Sequence, residues 1–259
     1  MSLSFEERKT TIMESLEKEE KVQVRMLAHI LQVSDETIRR DLDRLEKEGF
    51  LKKVYGGAVK TKIHSWELPF DEKTMINNIE KHAICRAAAS LIEDGDIIMI
   101  GNGTTPLDMI PYLVDKKDIT LITHSVPIML GAMDVFKGRV IFIGGEIERN
   151  QKYTSGPLSE RMLELLQANK AFICAGGIST VNGITDYDIS GSSISRKMME
   201  RAEEVIILAD HTKFGKTTFA NMCALTDASK IITDSSCSIE WRKLVSERGI
   251  ELIVADEMN

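Results

Sequence analysis

Apolar residues recur at helical spacing through the first fifty positions, then yield to a strand-turn-strand pattern, and later to short β-branched runs. Ile12, Leu16 and their neighbours supply a stripe for a first helix over about Phe5–Glu17. Val24, Leu27, Ala28 and Leu31 mark a second. After Gln32-Val33-Ser34 a third begins, with Ser34 as its N-cap and Asp35 and Glu36 in its first turn, where the helix dipole favours acids. Ile38, Leu42 and Leu45 fall at i, i+4, i+7 and face inward, which leaves Thr37, Arg39, Arg40 and Arg44 outward. Gly49 is placed to cap that helix. Phe50–Val54 and Ala58-Val59 then flank Tyr55-Gly56-Gly57, whose glycines suit a hairpin turn.

From Glu80 the period changes. Apolar runs at Ile97–Ile100, Ile119–Thr123, Val140–Ile143, Ala171–Ala175, Val205–Ala209, Ile231–Thr233 and Ile250–Val254 predict strands. Between them Lys81–Ile92, Pro106–Val114, Pro157–Gln167, Ser192–Ala202 and Ser238–Arg248 suit helices. Continuous apolar strands alternating with helices predict a largely parallel sheet covered on both faces. The expected organisation is a domain over 1–60, a linker over 61–79 that includes Trp66-Glu67-Leu68-Pro69-Phe70, and an α/β domain over 80–259.

Composition changes this picture little, and charge changes it more. With 43% hydrophobic and 28% charged residues in 259, wholesale disorder and fibrous repeats are excluded. No run reaches the ~18–20 apolar residues of a membrane span, and the charged opening MSLSFEERKTT is no signal peptide. Cys85, Cys174, Cys223 and Cys237 form no C-x-x-C pair, as expected of reduced thiols in a cytoplasmic protein. The five histidines have no metal-ligand spacing, and no cofactor is expected. The net charge of −7 discourages nucleic-acid binding only until it is localised. Residues 1–60 hold 12 basic and 12 acidic side chains, so the whole deficit lies in residues 61–259. Within the first domain the acids crowd the opening, while Arg39, Arg40, Arg44, Lys52 and Lys53 come later and can form a basic face.

Two helices joined by a tight turn, with Thr and Arg early on the second, are what docking in the DNA major groove requires. The alternative is a three-helix interaction module whose arginines are merely solvated. The segment Ser34-Asp35-Glu36-Thr37-Ile38-Arg39-Arg40-Asp41-Leu42, followed by Leu45, Gly49 and Tyr55-Gly56-Gly57-Ala58, resembles the signature of the DeoR family of bacterial transcription regulators. The resemblance implies a winged helix-turn-helix with the glycines in the wing. It also implies DNA contacts by Ser34, Thr37, Arg39, Arg40 and Arg44, with Lys52 and Lys53 on phosphates and Tyr55 standing where a histidine is common. Asp41 is expected to orient an arginine or lysine.

In the second half nearly every strand ends in small or polar residues, and such loops bind ligands in parallel sheets. Gly103-Thr104-Thr105, beside Asn102, offers hydroxyls and backbone N–H groups suited to an anion, and the same tripeptide also caps helices without any ligand. His124, Ser125, Gly144, Gly145, Gly177 and Lys213 stand at other strand ends where they can converge. There is neither a Walker A sequence nor a full G-x-G-x-x-G. This region is similar to the DeoR-type sensor domain, over most of residues 67–234, from Pro69-Phe70 and Lys81 to Ala209-Asp210-His211-Thr212-Lys213-Phe214-Gly215. The resemblance implies a Rossmann-like, ribose-5-phosphate isomerase-like α/β fold and a phosphorylated sugar as effector. The chain departs from the family at Gly101, where aspartate is usual, at His124 for asparagine, at Gly176 for an acid, and around Ser195 for a segment with a lysine.

The expected function is a DNA-binding regulator, by resemblance more often a repressor, acting on double-stranded operator DNA. An isomerase-like enzyme with an accessory DNA-binding module is the alternative. It needs a carboxylate base, for which Asp186 and Asp188 are the candidates, while Gly176 and Ser195 weaken the catalytic case. One winged helix has little contact area, so a homo-oligomer, dimer or higher, joined through the acidic α/β domain is expected.

Overall fold

A computed structural model describes residues 4–47, 50–60 and 67–256. The predicted cap Gly49 and residues 61–66 of the predicted linker, Trp66 among them, lie outside the described residues. The chain divides into two compact units, Met1–Glu67 and Leu68–Asn259. Residues 68–79, expected as linker, therefore belong to the second unit.

The first unit holds helices α1 (Phe5–Glu19), α2 (Val24–Leu31) and α3 (Asp35–Lys47) and strands β1 (Lys21–Gln23), β2 (Leu51–Val54) and β3 (Gly57–Lys60). Ser4 and Glu7 close a capping box at the start of α1. Gln32 ends α2 in the left-handed conformation at φ 52°, turning the chain toward α3. Ile12, Leu16, Leu27, Leu31, Ile38, Leu42, Leu45 and Leu51 form the core that the helical spacing predicts. The strand β1, absent from the sequence reading, pairs antiparallel with β3, which pairs antiparallel with β2. Gly57 explains itself there: a Cβ would stand 1.9 Å from the Val22 carbonyl oxygen. The wing is thus sealed against β1 by a residue without a side chain.

The second unit begins with α4 (Phe70–Lys73) and α5 (Asn78–Ser90). Then follow β4 (Ile97–Ile100), α6 (Thr104–Leu107), β5 (Thr120–Thr123), α7 (Val126–Val135), β6 (Arg139–Phe142), β7 (Glu146–Glu148), β8 (Tyr153–Ser155) and α8 (Pro157–Glu164). The rest is β9 (Ala168–Cys174), β10 (Gly177–Ser179), β11 (Gly183–Asp186), α9 (Ile189–Glu200), β12 (Ala202–Leu208), β13 (Ala220–Cys223), β14 (Lys230–Asp234), α10 (Ile239–Glu247) and β15 (Glu251–Ala255). The main sheet has the order β15-β14-β12-β9-β4-β5-β6, and every neighbouring pair in it is parallel. Its side chains alternate strictly. Ile98 and Ile100 join the α5 and α7 layer with Ile84, Ala88 and Ile128, whereas Met99 joins the α8, α9 and α10 layer with Leu163, Ile194 and Val245. Each fully buried Ile or Leu of these layers contributes about 1.5–3 kcal/mol.

Several further elements differ from expectation. The helix predicted over Pro106–Val114 is broken into α6 and a separate 3-10 turn at Ile110–Leu113, because Pro111 has no N–H to continue the ladder. The helix α7 was not anticipated, since its sequence VPIMLGAMDV is apolar without a period. A small antiparallel sheet β10-β11-β13 and the hairpin β7-β8 were missed as well.

Candidate functional site

On α3 the Ser34 hydroxyl accepts from the Thr37 N–H at 3.2 Å and lies 2.9 Å from the Thr37 hydroxyl. Arg39 and Arg40 are exposed and each approaches Glu36, at 3.7 and 3.6 Å. Such exposed pairs contribute little and leave the guanidinium groups available to a stronger anion. Asp41 is buried, and Arg8 of α1 donates to both its oxygens, from Nε at 2.6 Å and from the second guanidinium nitrogen at 2.9 Å. That fork locks α3 onto α1 and identifies the expected partner of Asp41. Tyr55 is fully exposed at the wing tip, and Lys52 is exposed beside it. Two predicted contacts are otherwise engaged: the Arg44 guanidinium lies 3.8 Å from the Phe5 ring centroid, and Lys53 pairs with Asp43.

In the second unit the connections from β4 and β9 leave in opposite directions, β4 toward β5 and β9 toward β12. Adjacent strands whose connections diverge open a crevice at their carboxyl ends, the usual ligand position in such sheets. Gly103 sits there at φ 131°, where a Cβ would come 3.1 Å from the Cys174 sulfur. Thr104 and Thr105 are buried behind it. Because α6 has only four residues, what this loop offers is its own backbone N–H groups and hydroxyls rather than a helix dipole.

Cations gather on this side. Lys213 and Lys73 both act on the Cys174 thiol, which burial nevertheless pushes up to about 12. Lys81 is buried on α5 and donates from Nζ to the Lys73 carbonyl at 2.5 Å. Burial lowers its pKa against the opposing pull of Asp210, while Lys213 adds to the lowering. Burial works to raise the Asp210 carboxyl, but Lys213 and the Thr212 hydroxyl and N–H overcome it and hold it below its ordinary range. Sequence reasoning quoted Lys81 only for resemblance. A signal existed: Lys81 shares the buried face of α5 with Ile84, Cys85 and Ala88 at i+3, i+4 and i+7, an anomalous place for an ammonium.

On the other side of the crevice His124 is fully buried. It faces Asn102, Nε2 to Oδ1 at 3.2 Å, and meets the Tyr153 ring edge-on at 5.6 Å between centroids. Burial pushes its pKa down to about 3, so the imidazole is neutral. The Tyr153 hydroxyl donates to Asp188, whose oxygens also cap α9 by accepting from the Ser190 and Gly191 N–H groups at 2.8 and 2.9 Å. Among the described residues, the buried polar atoms without a partner include His124 Nδ1, Ser125 Oγ, Gln151 Oε1 and Ser192 Oγ. These four belong to residues flanking Tyr153: Ser125 bridges to it in the backbone, Gln151 is two positions before it, and Ser192 follows Gly191, which packs on its ring; a fifth such atom, Thr233 Oγ1, lies on β14. Unmet buried polar atoms are costly, and a cluster of them is what a polar ligand satisfies. Tyr153, Gln151 and Ser192 carry no motif and were missed from sequence.

Of three predicted glycines, packing requires Gly145 and Gly177, whereas a Cβ on Gly144 would meet nothing within 4 Å. The Gly144 carbonyl accepts from the Ser159 hydroxyl at 2.7 Å. A Cβ on Gly145 would meet Ser159 Oγ at 2.0 Å, and one on Gly177 would meet the Lys216 carbonyl at 2.7 Å. A groove of about 710 Å³ at the amino ends of β5 and β6, lined by Lys116, Lys117, Lys137 and Arg139, contains none of the predicted residues. No group of His, Cys, Asp or Glu among the described residues could hold a metal ion, and none of the described helices is long and apolar enough to cross a membrane.

A winged helix-turn-helix joined to an α/β unit with a polar crevice defines a DNA-binding regulator with a sensor. The family models agree: the DeoR-like helix-turn-helix domain matches residues 8–63 and the DeoR C-terminal sensor domain residues 76–235. The chain belongs to the DeoR family of transcriptional regulators. It is 33% identical over 246 residues to the uncharacterized HTH-type transcriptional regulator YulB of Bacillus subtilis, covering 95% of each chain. It is 31% identical to the HTH-type transcriptional repressor GlcR of the same organism, covering 97% of each. To the lactose phosphotransferase system repressor of Staphylococcus aureus it is 31% identical, covering 88% of this chain and 91% of that one. A solved ribose 5-phosphate isomerase from Methanocaldococcus jannaschii aligns with 53% of this chain and 54% of its own at a TM-score of 0.39 and 17% identity. The curated relatives are regulators and repressors, so the chain is a transcription regulator and not an enzyme.

Proposed function

We propose that this regulator is a cytoplasmic repressor that releases or tightens on its operator when a phosphorylated sugar, or a related small anionic metabolite, enters the crevice between β4 and β9. Gly103, Thr104 and Thr105 present backbone N–H and hydroxyl groups to the phosphate, and Lys81 and Lys213 supply charge. Asn102, His124 and Ser125 face the sugar hydroxyls together with Tyr153, Gln151 and Ser192. Gly145 and Gly177 shape the wall by close backbone approach, and Gly144 leaves open space beside it. At the other end Ser34, Thr37, Arg39 and Arg40 read the major groove while Lys52 and Tyr55 reach the backbone from the wing; Arg44 and Lys53 join them by exchanging their internal partners for phosphates. Two such units in a homo-oligomer engage paired half-sites.

The observation that carries the effector reading is the pairing of two unlike surfaces at one switch point: lysines and hydroxyls around Gly103, and unmet neutral polar atoms around Tyr153. A ligand bound only by the folded state raises the melting temperature with occupancy. A thermal-shift screen of sugar phosphates against their unphosphorylated sugars tests this directly. The phosphorylated member of a pair should raise the melting point, and Thr104→Ala with Thr105→Ala should abolish the shift while operator binding persists. A double variant that responds like the parent places the site elsewhere, and a response to the unphosphorylated sugar alone removes the phosphate from the reading.

A further inference from the structure

The first residues of the second unit are fastened at two points, and both lead into the crevice. At one, the Phe70 N–H donates to the Asn150 carbonyl at 3.0 Å and the Gln151 side-chain amide donates to the Leu68 carbonyl at 3.0 Å. Phe70 is buried, and Lys152 pairs with Asp71 with its ammonium 5.4 Å from the Phe70 ring centroid. The turn that makes these contacts runs straight into Tyr153. At the other point, Lys81 Nζ holds the Lys73 carbonyl, the last residue of α4. A backbone carbonyl carries only a partial charge, so it is a weak partner for a buried ammonium, and an anion is a far stronger one.

We propose that residues 68–73 form a strap, clipped to the crevice by Lys81 and by the 150–152 turn, which an anion bound beside Gly103 loosens by taking Lys81 away from the Lys73 carbonyl. This rests on the anion site described above and adds what the site does when filled. Leu68 is the first residue of the second unit and Glu67 the last of the DNA-binding unit, so the strap anchors the chain that connects them. Ligand and strap then compete for one ammonium, and linkage requires that whatever loosens the strap strengthens anion binding.

Amide hydrogen exchange on the full chain, in inorganic phosphate against chloride at equal ionic strength, separates the two ideas. Phosphate should protect the amides of residues 103–105 and accelerate those of 70 and 72–74, which are held by Asn150, Pro69 and Phe70 carbonyls. Lys81→Met should exchange fast at 70 and 72–74 in both buffers. Phe70→Ala, which loosens the strap without touching the crevice lysines, should bind phosphate more tightly, by on the order of fivefold. Protection at 103–105 with unchanged or slower exchange at 70 and 72–74 overturns the strap and leaves the anion site standing. So does a Phe70→Ala variant that binds phosphate no better than the parent. No protection at 103–105 removes the anion site and the strap with it.

Discussion

The neutral imidazole of His124 makes the sensor unit acid-sensitive in a way that can be calculated. Burial holds the folded pKa near 3, against 6.5 for an ordinary histidine. The unfolded chain therefore binds a proton as pH falls through 6.5, while the folded chain refuses it until about pH 3. Stability from this group is full above 6.5 and is lost progressively as pH drops toward 3. Each pH unit in that window costs about 1.4 kcal/mol, so acidification from neutrality to pH 5 should cost ~2 kcal/mol through His124 alone. Carboxylates contribute to the same curve, and the control is His124→Asn, which keeps a polar side chain in place and cannot take the proton. Urea unfolding of the sensor unit can be followed through Trp241, which lies 5.5 Å from Phe214 between ring centroids, in a Trp66→Phe background. Between pH 7 and pH 5 the parent should lose ~2 kcal/mol more than His124→Asn. Parallel pH curves for the two proteins would refute a buried, neutral His124.

Replacing Arg39 and Arg40 together by alanine should weaken operator binding by about 1–3 kcal/mol per lost bidentate base contact, and wild-type affinity in a fluorescence-anisotropy titration counts against α3 as the reading helix. Arg8→Met leaves Asp41 buried without its fork, so the DNA-binding unit should lose about 3–5 kcal/mol in chemical denaturation; a loss below 1 kcal/mol would mean that Asp41 is solvated or re-paired. Light scattering should find the full chain associated, and a monomer at micromolar concentration removes the paired half-site geometry.

Much of the fold was legible because it is written in period. Ile38, Leu42 and Leu45 predict the buried face of α3, and the runs at Ile97, Ile119 and Ala171 predict strands that lie within the central sheet. What failed has physical causes. The apolar α7 offers no contrast between faces, and Pro111 splits a helix that hydrophobicity alone would continue. Strands β1, β7, β8 and β10 have three residues each, too short for alternation to register. The site divides similarly. Glycines, threonines and Lys213 were legible at strand ends, whereas Tyr153 and Ser192 reach the crevice from elements whose packing no local pattern encodes.

The departures at Gly101, Gly176 and Ser195 become intelligible once the neighbours are known. A Cβ at Gly101 would lie 3.3 Å from the Phe172 carbonyl oxygen and from Ile173 Cδ1, so an aspartate there requires β9 to give way. A Cβ at Gly176 would stand 3.0 Å from Asp186 Oδ1; the acid missing from the end of β9 is thus replaced in space by one from the end of β11. The Asp186 charge acts on both Cys174 and Tyr153, while its Oδ1 accepts from the Tyr187 N–H at 2.8 Å. Ser195 is buried and neutral where the resemblance implies a lysine nearby. Charge in the crevice has therefore been rearranged. Cations concentrate around Cys174, and the groups around Tyr153 are mostly neutral donors and acceptors, with Asp188 already holding the Tyr153 hydroxyl and two backbone N–H groups. Such a surface rewards an anion at one end and hydroxyls at the other.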